Sequence, residues 1–228
     1  MENNNYLVES FGNSIGVDIA EFTGEVIEFT LDTCVGEDGI LKDIPFVSAA
    51  LKLYNIANQV QEKYSFYKLN AFIKGVNDGA VDSNEIERRK KKFYSNVKFR
   101  KQELEYILVL IERYIGLDKP TMLAKMYLAY LDDIISWKEF TVYAEVIDRL
   151  LPGDINELEK GSQYDVHYKN ASDALLRLVS LGLVVEHSKG IDFDNTCGSL
   201  NLPDLQQKDY EITMFGNKLI KILSNMEA

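Results

Sequence analysis

The chain has 228 residues, 46% of them hydrophobic and 27% charged, with a formal net charge of −11, a composition that fits a globular protein and excludes a disordered one. Two cysteines, Cys34 and Cys197, stand far apart without a CxxC pair, which excludes a disulfide framework and a cysteine zinc site and fits a reducing compartment. The polar, acidic start MENNNYLVES is not a secretory leader, and no apolar run approaches the roughly 20 residues that span a bilayer, so cytoplasmic placement is expected.

After the polar start, Ile15, Ile19, Phe22, Val26 and Phe29 recur at spacings of three and four and predict a helix over 14–32. Asp18, Glu21, Glu25, Glu28 and Asp32 form an acidic stripe on about a quarter of its circumference, and the remaining positions are again small or apolar. So narrow a wet strip points to packing on two sides, within a bundle or at a subunit interface. VGEDG at 35–39 breaks the pattern, and Pro45 stands in the first turn of the next helix, where a missing N–H is harmless. From Phe46 to Ala57 that helix is apolar nearly all round and reads as a central core element. A membrane-acting effector that releases the 40–60 segment is the alternative.

A third helix is predicted over 61–75, carrying Tyr64, Phe66, Tyr67, Leu69, Phe72 and Ile73, with Gly75 and NDG at its end. Asp82 and Glu85 have capping-box spacing and open a charged helix over 83–95. Leu104, Ile107, Leu108, Ile111 and Ile115 predict a helix over 100–115. Pro120 starts another, with Met122, Leu123, Met126, Tyr127 and Tyr130 inward, and Ser136 starts one that the Leu151-Pro152-Gly153 sequence stops. A helix over 170–181 follows, then β-like runs at 183–187 and 210–213 around a polar loop from 188 to 209, then a closing helix over 214–224.

This last order, helix, strand, long loop, strand, resembles the third helix and wing of winged-helix proteins. The residues that carry the resemblance are Leu178, Leu181, Gly182, Leu183 and Val184 at the first turn and Tyr210, Ile212, Thr213 and Gly216 on the return. The 118–160 region is similar to a segment of uncharacterised bacterial and prophage-type proteins, through Asp118, Lys125, Phe140, Ile147, Asp148, Arg149, Asp154 and Leu158. That similarity implies a helical body ahead of a winged-helix end and a mobile-element or defence setting; it implies no activity. The expected fold is therefore mostly α: a helical bundle over 1–160 and a small winged-helix-like α+β module over 163–228.

No catalytic, metal or cofactor motif is found. His167 and His187 are the only histidines, and neither lies in HExxH or beside a cysteine pair. Asp192, Asp194 and Asn195 begin like a calcium loop, but Thr196 and Cys197 fall where a ligand and a turn glycine belong. There is no GxSxG, no GxxxxGK[ST] and no strand-borne GxGxxG. The concentrated feature is a basic run, Arg88, Arg89, Lys90, Lys91, Lys92, Lys98, Arg100 and Lys101, interleaved with Phe93, Tyr94 and Phe99. Cations at that density can neutralise phosphates while aromatics stack on bases; the plainer reading is a solvated helix offset by Glu85, Glu87, Glu103 and Glu105. In the winged-helix reading the third helix offers Lys169, Asn170, Ser172, Asp173 and Arg177, beside a wing carrying Asp192, Asp194, Asp204 and Asp209 against Lys189 and Lys208.

These features predict a non-enzymatic binding or regulatory protein acting through protein–protein contacts, with self-association as a homo-oligomer, of phage or defence origin. The alternative partner is DNA, which the charge disfavours; a membrane partner is not expected, and neither is a cofactor.

Overall fold

The computed structural model describes residues 6–16, 44–54, 59–78, 83–163, 172–188 and 208–224. Expectations that fall on Cys34, Cys197, His167, Lys169, Asn170, Asp82, the 17–32 part of the first predicted helix and residues 189–207 lie outside these residues. Among the described residues the chain is mostly helical, with one two-stranded antiparallel sheet. The elements are α1 (Tyr6–Ser14), α2 (Pro45–Tyr54), α3 (Gln59–Asn77), α4 (Ser83–Tyr94), α5 (Val97–Arg113), α6 (Asp118–Leu131), α7 (Trp137–Arg149), α8 (Asp154–Gln163), α9 (Asp173–Ser180), β1 (Val184–Ser188), β2 (Lys208–Ile212) and α10 (Met214–Ser224). None of these helices is long and apolar enough to cross a membrane. Two compact units divide at Asp148 and Arg149.

In the first unit the helices read between Pro45 and Leu150 are present, and one more precedes them. The start of the chain, read as merely polar, forms α1, whose Leu7, Val8 and Phe11 are buried with Ile15 just beyond it. Phe11 is the hub of the aromatic core. Its ring lies 5.0 Å from Phe46 on α2 and 5.0 Å from Phe93 on α4, 5.8 Å from Tyr127 on α6 and 6.3 Å from Phe72 on α3. A nine-residue helix has little intrinsic stability, so burial of this face rather than propensity forms it. The helix read as starting at residue 14 is thus corrected: α1 ends there, and Gly16 turns the chain at a φ of 80°.

The end of α1 is held by residues remote in sequence. Asn77 accepts from the Gly16 N–H at 2.6 Å and donates to the Ser14 carbonyl at 2.9 Å. The Ser14 hydroxyl donates to Ser10 O and accepts from the Phe46 N–H, a free donor of the first turn of α2. Other helix ends follow the same rule with cations, which satisfy orphan carbonyls and suit the negative end of the helix. Lys68 donates to the carbonyls of Glu112 and Tyr114 at the end of α5, Lys119 to that of Asp148 at the end of α7, and Arg100 to those of Lys92 and Phe93 on α4. Burial holds the Lys68 ammonium below its usual pKa. Gly75, read as a helix terminator, instead lies inside α3, where α6 approaches closely: a Cβ there would stand 2.8 Å from Ala124 Cβ and 3.3 Å from Thr121 O. On α2, Phe46, Val47, Ala49 and Ala50 are buried while Leu53 is 60% exposed, so this helix has a wet side that the all-apolar reading did not give it.

The second unit begins with α8, an element not foreseen at sequence level. Its Asp154 is fully buried, accepts from the Leu151 N–H at 2.8 Å and receives Nε and Nη2 of Arg177 from α9. The signal was present: Asp154 and Glu157 have the spacing of a helix start just beyond Pro152-Gly153. Helix α9 opens with the Ser172 hydroxyl accepting from Leu175 N–H and closes at Gly182, φ 73°. There Gly182 N–H bonds to Val179 O and Leu183 N–H reaches back to Leu178 O, with Leu178 and Leu183 both fully buried. Strand β1 pairs antiparallel with β2, Val184 opposite Ile212 and Glu186 opposite Tyr210, and the buried Tyr210 donates its hydroxyl to Glu186. Thr213 joins β2 to α10: its N–H and hydroxyl donate to the Leu183 carbonyl, and its Oγ1 accepts from Gly216 N–H.

Candidate functional site

The basic run bends at Ser95 and Asn96 between α4 and α5, and most of its charge faces acids of the same unit. Arg89 is 6% exposed; its Nε meets both oxygens of Asp132, and its Nη2 lies 2.8 Å from Asp132 Oδ2 and 2.7 Å from Glu85 Oε1. Arg88 pairs with the same Asp132 at 2.9 Å, and Lys92 pairs with Asp133. These two aspartates stand where α6 ends. Asp132 is the cap, and Asp133 adopts a φ of 58°, a left-handed conformation that Asp tolerates better than most residues. Two carboxylates at the negative end of a helix repel it. Three cations of α4 offset that repulsion, so this part of the run docks α4 onto α6.

Past the bend the second half of the run is also engaged. Arg100 is 3% exposed and forms an ion pair with Glu103, itself 1% exposed. Arg100 also donates to Tyr130 Oη at 2.8 Å, with its guanidinium 5.2 Å from the centre of that ring. Glu103 in turn accepts from Tyr130 at 2.6 Å and from Tyr127 at 3.4 Å. Lys101 reaches Glu105 at 3.5 Å. Around this buried cluster runs an aromatic layer: Trp137 stacks on Phe140 at 4.8 Å and meets Tyr130, Tyr106 and Phe99 at 5.4, 5.9 and 6.1 Å. Of the interleaved aromatics, Phe93 is buried in the core, while Tyr94 and Phe99 are 39% and 37% exposed.

The cations that remain are Lys91 and Lys98, exposed, and Lys90, half-buried, with no carboxylate of the described residues at salt-bridge distance. The eight basic residues named from the sequence are therefore not one surface. Sequence reasoning missed Asp132 and Asp133. Their signal was two adjacent acids straight after the apolar run of α6, an arrangement the helix dipole opposes unless cations arrive from elsewhere.

The tyrosines of this region give a pH prediction. Burial, helped by the neighbouring Glu103 carboxylate, pushes Tyr130 up to about 12 and Tyr127 well above 10, and burial pushes Tyr143 up to about 12. In the unfolded chain these hydroxyls ionise near the ordinary value of 10. The contribution of Tyr130 and Tyr143 is therefore fully present below pH 10 and is lost as pH rises from 10 through about 12, and that of Tyr127 has the same sign. Phenolate absorbance should lag in the folded protein and appear together with loss of helical circular dichroism; a full, early titration of the folded chain would contradict these placements.

In the second unit, Ser172 caps α9 and Arg177 is paired with Asp154, so both described residues of the predicted winged-helix contact set have structural partners. His187 lies on the outward face of the sheet, 3.2 Å from Glu211. Leu176 on α9, Val185 on β1 and Met214 at the start of α10 are exposed, Met214 by 91%. Among the described residues no group of three or more His, Cys, Asp or Glu side chains is arranged to hold a metal ion. Comparison with protein-family models, curated proteins and solved structures found no match.

Proposed function

We propose that this chain is a non-enzymatic binding or regulatory protein that works through protein–protein contacts, self-association included, and that its second unit is a winged-helix-like module used for docking rather than for reading DNA. The observation that carries this reading is where the arginines lie. A protein that grips phosphates needs its cations outward, whereas Arg89 and Arg100 are buried against Asp132 and Glu103, and Arg177 holds the buried Asp154. The winged-helix part is supported by the order α9, β1, β2, α10, by the antiparallel pairing of the two strands and by the turn at Gly182. A docking use is supported by the outward Leu176, Val185 and Met214. The phage or defence setting rests on the sequence similarity over 118–160 alone.

Two measurements on the intact chain test the reading. In a salt-titrated gel shift on random duplex DNA, no complex should form even at low salt. In sedimentation velocity, the mass should rise with protein concentration or with added partner. A retarded DNA complex whose affinity falls steeply with salt would overturn the proposal in favour of a DNA-binding regulator.

A further inference from the structure

We infer that the elbow between α4 and α5 is the surface on which the chain receives an acidic segment of a protein partner, with Lys91 and Lys98 available to its carboxylates and the exposed rings of Phe99 and Tyr94 available to an apolar side chain. This deepens the protein-contact reading and depends on it. Charge matching across the run is the first argument. Arg88, Arg89, Lys92, Arg100 and Lys101 are engaged by Glu85, Asp132, Asp133, Glu103 and Glu105, so cations and carboxylates there balance one for one. Lys90, Lys91 and Lys98 are left over, against two exposed acids, Glu87 on α4 and Glu9 on α1, whose charge acts on Tyr94. The elbow is thus a local positive excess on a chain of net charge −11.

The second argument is preorganisation. The Tyr94 hydroxyl end lies directly against Gly12 of α1, so close that a Cβ at Gly12 would overlap it, and its ring meets Phe93 at 5.4 Å. Phe99 is fixed edge-on against Trp137. Both half-exposed rings are therefore held in place, and covering them loses little side-chain entropy. The number of free cations selects the partner. Phosphate neutralisation supplies most of the affinity for a nucleic-acid strand, two or three lysines neutralise few phosphates, and a strand running past the elbow would meet the field of an acidic protein. Two or three lysines instead match a short acidic segment carrying an apolar side chain.

The test uses the full-length chain at low salt and two fluorescein-labelled probes: a short peptide of alternating glutamate and phenylalanine, and a single-stranded DNA oligonucleotide of equal charge. The peptide should raise anisotropy on binding, and K91E/K98E should weaken it roughly tenfold, the scale expected for reversing two contacts. K52E/K74E, an equal charge change at exposed lysines of α2 and α3, should leave it unchanged. K91A/K98A, checked by circular dichroism, should weaken it to a smaller extent and guards against a folding artefact. No peptide binding, equal loss in both glutamate doubles, or tighter binding of the DNA would each overturn the inference. If the wild-type chain self-associates and K91E/K98E alone is monomeric, the occupant is a second copy; the inference then fails while the protein-contact reading stands.

Discussion

Glu103→Ala is expected to destabilise the first unit by about 3–5 kcal/mol, the range for removing one partner of a buried ion pair. The Glu103 carboxylate is 1% exposed and accepts from Arg100, Tyr130 and Tyr127. Its removal leaves a guanidinium that is 3% exposed without a counter-charge, and two phenols without their acceptor. The cost comes from those stranded groups rather than from the strength of the pair, and this makes the double variant decisive. Arg100→Met with Glu103→Leu removes both charges and should recover most of the loss. Recovery will be incomplete, because Arg100 also satisfies the carbonyls of Lys92 and Phe93 at the end of α4. Urea unfolding with an unchanged m-value is the measurement. A Glu103→Ala loss below about 1 kcal/mol would show that the site is wet and the pair of surface strength.

What was legible in the sequence was local. The turn around Leu178, Gly182 and Leu183 and the return through Tyr210, Thr213 and Gly216 were legible as a resemblance to winged-helix proteins, and the residue types that carry it act close to their own positions, as a left-handed cap, a buried leucine or a helix-capping hydroxyl. The helices between Pro45 and Leu150 were legible for the same reason, since an apolar stripe of period 3.6 is a property of one segment. The rest depended on remote residues. Nothing in MENNNYLVESFGNS says that Phe11 will touch four other helices, because the contacts are contributed by Phe46, Phe72, Phe93 and Tyr127.

The candidate site shows the same limit more sharply. The basic run was visible, and of the four offsets expected on a solvated helix Glu85, Glu103 and Glu105 pair with it. Glu87 has no such pair among the described residues, and Arg89, Arg100 and Glu103 are buried rather than solvated. The decisive acids, Asp132 and Asp133, lie some forty residues downstream and meet α4 only through the packing of α4 on α6. A charge run read along the chain therefore overstates the charge presented to a partner. Five of the eight cations are engaged within the fold, and among the described residues Lys90, Lys91 and Lys98 are the cations of the run left without a carboxylate.

Gly216→Ala is expected to cost about 3 kcal/mol, at the upper end of the range for overpacking, and to act on the joint between the sheet and α10. A Cβ at Gly216 would fall inside the contact radius of the Leu183 carbonyl oxygen and would lie 3.1 Å from Leu183 C and from Ile212 Cγ2. Backbone atoms cannot rotate aside as a side chain can. The Leu183 carbonyl is moreover held by the Thr213 N–H and hydroxyl, while Gly216 N–H is held by Thr213 Oγ1, so relief requires α10 to move away from β1 and break this capping. Gly182→Ala is the contrast. Gly182 has a φ of 73° with nothing within 4 Å of a Cβ, so only the left-handed backbone opposes the change, at about 1–2 kcal/mol. The two variants thus separate contact from conformation. Faster hydrogen exchange at the β1 and α10 amides should accompany Gly216→Ala and be weaker in Gly182→Ala. If the order of the two losses were reversed, the close approach of α10 to Leu183 would not be what fixes Gly216.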